Sequence, residues 1–240
     1  MSDLDAILEK LEADRPSEAV EEAIEIYENN DLDEEDKANL AYGIGVGYFK
    51  LESFNDVITW LDRTNDTRRW LLSGYALQQM DENVAAARAF EIASKKIPEQ
   101  KVEAKLLQAQ TLLLAEKPEK ASPVLEELLR EENLDLEIKK EILLTRARAA
   151  MGADKPREAR PWLEEIFELD PESEFGMEAV FYLIQIEESA GQISKALEYA
   201  RWLKNNGSGE NWRGVASEYL RRLHNHRRKQ KGDLRDYDAL

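Results

Sequence analysis

The chain has 240 residues, 42% of them apolar, enough to bury a core and too many for global disorder. It holds no cysteine, which excludes disulfides and thiolate metal sites, and its 11 glycines, 7 prolines and few β-branched runs favour helices. The net charge of −17 is uneven: residues 221–240 carry seven Lys/Arg against three Asp, and the first 220 residues carry −21, which opposes binding to DNA, RNA or anionic lipid.

The first residues, MSDLDAILEKLEADR, are charged throughout and lack the apolar run of a secretory signal. No stretch approaches about 18 uncharged apolar residues, so no membrane span is expected. A cytoplasmic protein is the expectation. In chain order, apolar residues at intervals of three and four predict helices near 3–12, 16–29, 34–50, 54–64, 67–80, 83–96 and 100–114. They continue near 118–131, 136–151, 156–168, 173–190, 193–206 and 211–230. Ser53 is a candidate N-cap partnered by Asp56. Pro118 and Pro156 suit first helical turns, and Pro16-Ser17-Glu18-Ala19 is a third such start. Pro123 and Pro161 fall inside helices and are expected to bend them slightly. Asn205-Asn206-Gly207-Ser208-Gly209 is the clearest break. After it an unpaired final helix is expected, with 232–240 as a frayed tail.

Thr67–Gln100 shows how these helices are organised. Trp70, Gly74 and Leu77 share one face of a first helix, and Ala86, Phe90 and Ala93 one face of a second. Such a hairpin cannot bury both faces alone, so it should recur. It does. The position of Ala86 is taken in turn by Ala19, Val57, Ala86, Ala121, Ala159 and Ala196, separated by 38, 29, 35, 38 and 37 residues. Four residues on stand Ala23, Leu61, Phe90, Leu125, Leu163 and Ala200. Twelve residues before stand Ile7, Gly45, Gly74, Ala109, Ala147 and Ile184, small in the four middle units. Residues 117–127 and 155–165 also match each other at a constant offset, sharing Pro118/Pro156 and Pro123/Pro161.

This pattern resembles the tetratricopeptide repeat, with a unit of 34 residues and the order W-x2-L-G-x2-Y, A-x3-F, P. Trp70, Gly74, Ala86, Phe90 and Pro98 match it, with Leu77 for Tyr and Ser73 for Leu. The unit at 140–172 keeps Leu143, Ala147, Ala159, Leu163 and Pro171. The unit at 38–64 keeps Gly45, Tyr48 and Leu61, with Val57 for Ala. The resemblance covers roughly residues 1–206. It implies an all-α right-handed superhelix of about five to six hairpins over 1–206, with a capping helix and basic/acidic tail over 207–240.

No chemistry-bearing set emerges. His224 and His226 stand on different helix faces and lack the further ligands that zinc requires. Tyr42-Gly43-Ile44-Gly45-Val46-Gly47 follows no strand and lies inside a helical unit, so helix packing accounts for it better than nucleotide binding. Gly207-Ser208-Gly209 reads as a linker. No cofactor, metal or catalytic residue is expected. The basic run Arg221–Lys231 is either an anchor or a helix end favoured by its dipole, and it could meet the acidic face of another molecule.

The family implies that first helices line a concave groove. Its expected partner-binding residues are Tyr42, Val46, Phe49, Arg68, Tyr75, Gln78, Gln110, Arg148, Phe181 and Gln185. Leu71, Leu106 and Leu144 belong either to the groove or to the core. Family members that clamp chaperone carboxylates use paired Lys, Arg and Asn. Here Asn39, Arg68 and Arg148 stand without that set, so an amphipathic helix or extended segment with apolar anchors fits better. The expected function is a non-catalytic adaptor holding a protein or peptide. The alternatives are a self-associating structural subunit, which would be a homo-oligomer, and an enzyme or nucleotide binder.

Overall fold

A computed structural model describes the backbone of residues 3–11 and 16–237 and the side chains of 6–11 and 16–228. Among the described residues the regular structure is all helix. The helices are α1 (Asp3–Leu11), α2 (Ser17–Asn29), α3 (Glu34–Lys50), α4 (Phe54–Leu61), α5 (Arg69–Gln79), α6 (Asn83–Lys96), α7 (Lys101–Leu114), α8 (Pro118–Leu128), α9 (Leu136–Gly152), α10 (Pro156–Leu169), α11 (Glu174–Ser189), α12 (Ile193–Asn206) and α13 (Gly209–Tyr237). All thirteen fall where the apolar spacing puts them. The chain forms two compact units, 1–124 and 125–240. In the first, each of α2 to α7 packs on the helix that follows or precedes it, and α3 also meets α1 and α5. In the second, α9 to α13 do the same, with α9 against α11 and α11 against α13.

The repeat register explains the packing. Ala19, Val57, Ala86, Ala121, Ala159 and Ala196 are all buried, as are the six residues four positions on. The small residues of the first helices meet them. A Cβ added at Gly45 would lie 2.9 Å from Leu61, and one at Gly74 would lie 2.5 Å from the ring of Phe90. The glycine run on α3 serves two neighbours at once. Gly45 faces α4, whereas added Cβ atoms at Gly43 and Gly47 would meet Leu8 and Leu11 of α1 and Val20 of α2. Alternate glycines thus let one helix be approached closely from opposite sides.

Each hairpin from α3–α4 onward turns in the same way. Glu52, Asp81, Glu116, Asp154 and Gly191 all have positive φ, between 55° and 72°. Each sits five residues before the buried small residue of its unit. The amide after each bonds back five residues, as in Ser53 N to Tyr48 O and Gln192 N to Glu187 O, both within 3.0 Å. The amide of the turn residue itself bonds three back, closing a Schellman motif five times over. Only one of the five is glycine. A left-handed conformation costs a side-chain-bearing residue about 1–2 kcal/mol. Glu116→Gly is therefore expected to raise stability by up to about 1 kcal/mol, and Gly191→Val to lower it by about 1–2 kcal/mol. Urea midpoints of the two variants check both signs.

Several expectations are corrected. Ser53 occupies the N-cap position of α4, but its side chain makes no capping bond. Its ψ of 67° is not extended, unlike the 172° of Asp33 and 162° of Ser173, whose side chains do cap. Helices α4 and α8 stop three residues early, at Leu61 and Leu128. Their ends tighten into three-residue bonds such as Thr64 N to Leu61 O and Glu131 N to Leu128 O. Pro16 precedes α2 instead of starting it. The final helix is paired: Ala216 and Leu223 are buried in the core it shares with α11 and α12. It also runs on to Tyr237, through most of the expected tail, of which 238–240 lie outside the described residues.

Candidate partner-binding face

In unit 1 the first helices are α3, α5 and α7, and their small residues Gly45, Gly74 and Ala109 turn inward. The expected groove residues beside them, Tyr42, Val46, Phe49, Tyr75, Gln78 and Gln110, are all half-buried. Leu106 and Leu144 belong to the core, whereas Leu71 is half-buried.

Several of these residues tie one first helix to the next. The Tyr75 hydroxyl donates to Glu103 Oε1 on α7 at 3.2 Å, while its ring packs edge-on against Phe90. Gln78 Nε2 donates to Thr111 Oγ1 at 2.6 Å. Arg68 stacks its guanidinium 4.3 Å above the Tyr42 ring, pairs with Asp66 and reaches Asn39 Oδ1 at 3.5 Å. Phe49 stays within its own hairpin, edge-on to Phe54. In unit 2, Arg148 of α9 pairs with Glu178 of α11 at 2.5 Å. Phe181 is packed against Trp212 and Tyr219 of α13, and Gln185 is half-buried. Arg222 and Trp212 of α13 in turn reach Glu188 and Glu174 of α11. The sequence points to outward anchors; most of them prove to be rungs between successive first helices as well.

The rungs hold their charge states firmly. Burial, then the Glu103 carboxylate, pushes the Tyr75 phenol up. Burial is the largest single influence on Arg148 and works against its charge, but the bond and charge of Glu178 together with Tyr182 outweigh it and raise the group. Burial alone would raise Asp66, yet the bonds and charge of Arg68 carry it below the usual carboxylate range. Each shift moves the group's titration further from pH 7, so these ties persist unchanged around that pH.

Two wholly buried charges went unmarked by the sequence pattern. Lys140 has no exposed side-chain surface; its Nζ lies 2.7 Å from Asp170 and 2.6 Å from Glu137 and sits over the Phe175 ring. Its bonds to Asp170 and Glu137 raise it, and the same bond to Lys140 lowers Asp170. Glu187 is also buried, with Arg160 Nη2 at 2.5 Å from Oε1. The pair is close but off-axis, so no protein donor is aligned with either Glu187 oxygen. The register could have marked both. Lys140 stands where other units have Ala38, Thr67, Val102 and Met177, and Glu187 where they have Tyr48, Leu77, Leu112 and Ala150.

An open polar cleft of about 470 Å³ lies beside α2, α3 and the α4–α5 connection, lined in part by Tyr27, Lys37, Thr64 and Arg69. Arg69 is held there by the carbonyls of Leu61 and Thr64. Among the described residues no three acidic or histidine side chains cluster as metal ligands, and no helix is long and apolar enough to cross a membrane.

No protein-family model and no curated protein matches the chain. Solved structures do. The C-terminal part of a TPR repeat-containing protein from Cytophaga hutchinsonii aligns with a TM-score of 0.57 at 11% identity, over 92% of this chain and 95% of that one. The fold is a tetratricopeptide-like (TPR-like) helical repeat. The apo form of the quorum sensor NprR from B. thuringiensis aligns with a TM-score of 0.53 at 14% identity, over 90% of this chain and 66% of the sensor. At these identities the TPR-like likeness is one of fold.

Proposed function

We propose that this TPR-like chain is a non-catalytic scaffold that holds a partner protein or peptide along its first helices, working in the cytoplasm. In this reading residues 1–206 form the hairpin array, and 207–240 cap it and carry the charged tail. The observation behind the proposal is the face of α3, α5 and α7. It offers half-exposed Tyr42, Val46, Tyr75, Gln78 and Gln110, already fixed by the Tyr75–Glu103 and Gln78–Thr111 rungs. Rigid aromatic and polar groups bind at low ordering cost. A partner with apolar anchors and basic flanks suits this face and the acidic body around it.

The double variant Val46→Lys, Gln110→Lys places the partner's own sign of charge on this face at two half-buried positions. It should melt within a few degrees of the parent yet recover at least tenfold less of the partner that the parent captures from its host. Undiminished capture by a folded variant contradicts the placement.

A further inference from the structure

The chain's charge is polarised between two helices. Residues 1–36 hold 15 Asp/Glu against two Lys/Arg, and residues 221–231 hold six Lys/Arg and no Asp/Glu. The two charge blocks share one geometry. On α2, Glu18, Glu21, Glu25 and Glu28 are all exposed, and their spacing of three, four and three sets them along one side of the helix. On α13, Arg221, His224, Arg228 and Lys231 follow the same spacing, and the first three are exposed. Each stripe spans ten residues, about 15 Å of helix.

Among the described residues, Leu223 is the last of α13 in the core cluster of unit 2, and the helix continues to Tyr237. Those 14 further residues amount to about 21 Å. Like charges three and four apart on a helix repel each other. The acidic stripe therefore stores a repulsion that a stripe of opposite sign relieves.

We propose that the chain associates with itself head to tail, the basic stripe of α13 in one copy lying along the acidic stripe of α2 in another. The two surfaces differ, so the contact is heterologous: it extends as an open chain or closes as a ring. A second copy fits better than a polyanion, because a nucleic acid or anionic membrane meeting the tail also meets a body of charge −21. The contact is electrostatic and exposed, so salt weakens it, with screening lengths of roughly 10 Å at 0.1 M and 3 Å at 1 M.

The test is sedimentation velocity on the full chain at low and at high salt, with two charge-reversed variants. One carries Glu21→Lys and Glu25→Lys; the other carries Arg221→Glu and Arg228→Glu. All four positions are exposed, and unchanged melting confirms that the variants fold. The parent is expected at twice the monomer mass or more at low salt, and as monomer at high salt. Each variant alone keeps one stripe intact and has lost the charge of the other, so it stays monomeric. Mixed in equal amounts, the intact acidic stripe of one variant meets the intact basic stripe of the other, and the pair recovers a dimer. The proposal is overturned by a parent that is monomeric at low salt, including one whose tail captures nucleic acid or anionic vesicles instead. It is also overturned by a single variant that still associates, or by a mixture that does not.

Discussion

Arg160→Ala is expected to destabilise the chain by about 3–5 kcal/mol, the usual cost of leaving a buried charge without its partner. Glu187 has no exposed surface, and Arg160, about one-third exposed, approaches it as the counter-charge. Removing Arg160 strands a carboxylate with no exposed surface, whereas removing Glu187 leaves an arginine that can turn to water. Glu187→Met should therefore be neutral or stabilising by about 1–4 kcal/mol. It removes a desolvated group whose two oxygens have no aligned protein donor. Urea midpoints at unchanged slope read both. Equal losses from the two substitutions would mean that the pair is a well-formed, net stabilising bridge.

Gly74→Leu carries the second large effect, about 3 kcal/mol of destabilisation from overpacking. An added Cβ meets three atoms of the Phe90 ring at 2.5 to 2.7 Å. That ring is wholly buried, with Tyr75 edge-on to it at 5.4 Å between centroids. Even Gly74→Ala should cost net stability, although alanine gains about 1 kcal/mol over glycine in a free helix. Phe90→Leu removes the ring atoms that clash, so adding it to Gly74→Ala should return about 1 kcal/mol as a favourable coupling. A stabilising Gly74→Ala would show that the glycine is tolerated, not required.

The same contact shows what was legible in the sequence. Gly74, Ala86 and Phe90 recur in kind at fixed offsets, and a repeated small-to-large match has few explanations besides two helices pressed together. The hairpins, their order and nearly all their limits follow from it. The turns were not legible, because four of the five left-handed positions hold Glu or Asp instead of the glycine that marks such a turn. Their separations of 29, 35, 38 and 37 residues nevertheless repeat those of the buried small residues. Backbone hydrogen bonds, and not side-chain type, set that conformation. Ser53 fails as a cap for the same reason: the preceding turn fixes its ψ before its hydroxyl can aim.

The candidate face was legible in position but not in role. Spacing puts Tyr75, Gln78 and Arg148 beside the packing residue, and they are there. Spacing does not reveal that Glu103, Thr111 and Glu178, about 30 residues on, would engage them. Lys140 and Glu187 stayed hidden in a chain with 83 charged side chains. A charge counts as unusual only when compared with the same position in the other units, where apolar or small residues stand.

The scaffold account is tested most directly by hydrogen exchange on the chain with and without its captured partner. Protection is expected on α3, α5 and α7 in the turns carrying Val46, Tyr75 and Gln110, with little change on α4 and α6. Protection confined to α4 and α6 would contradict it.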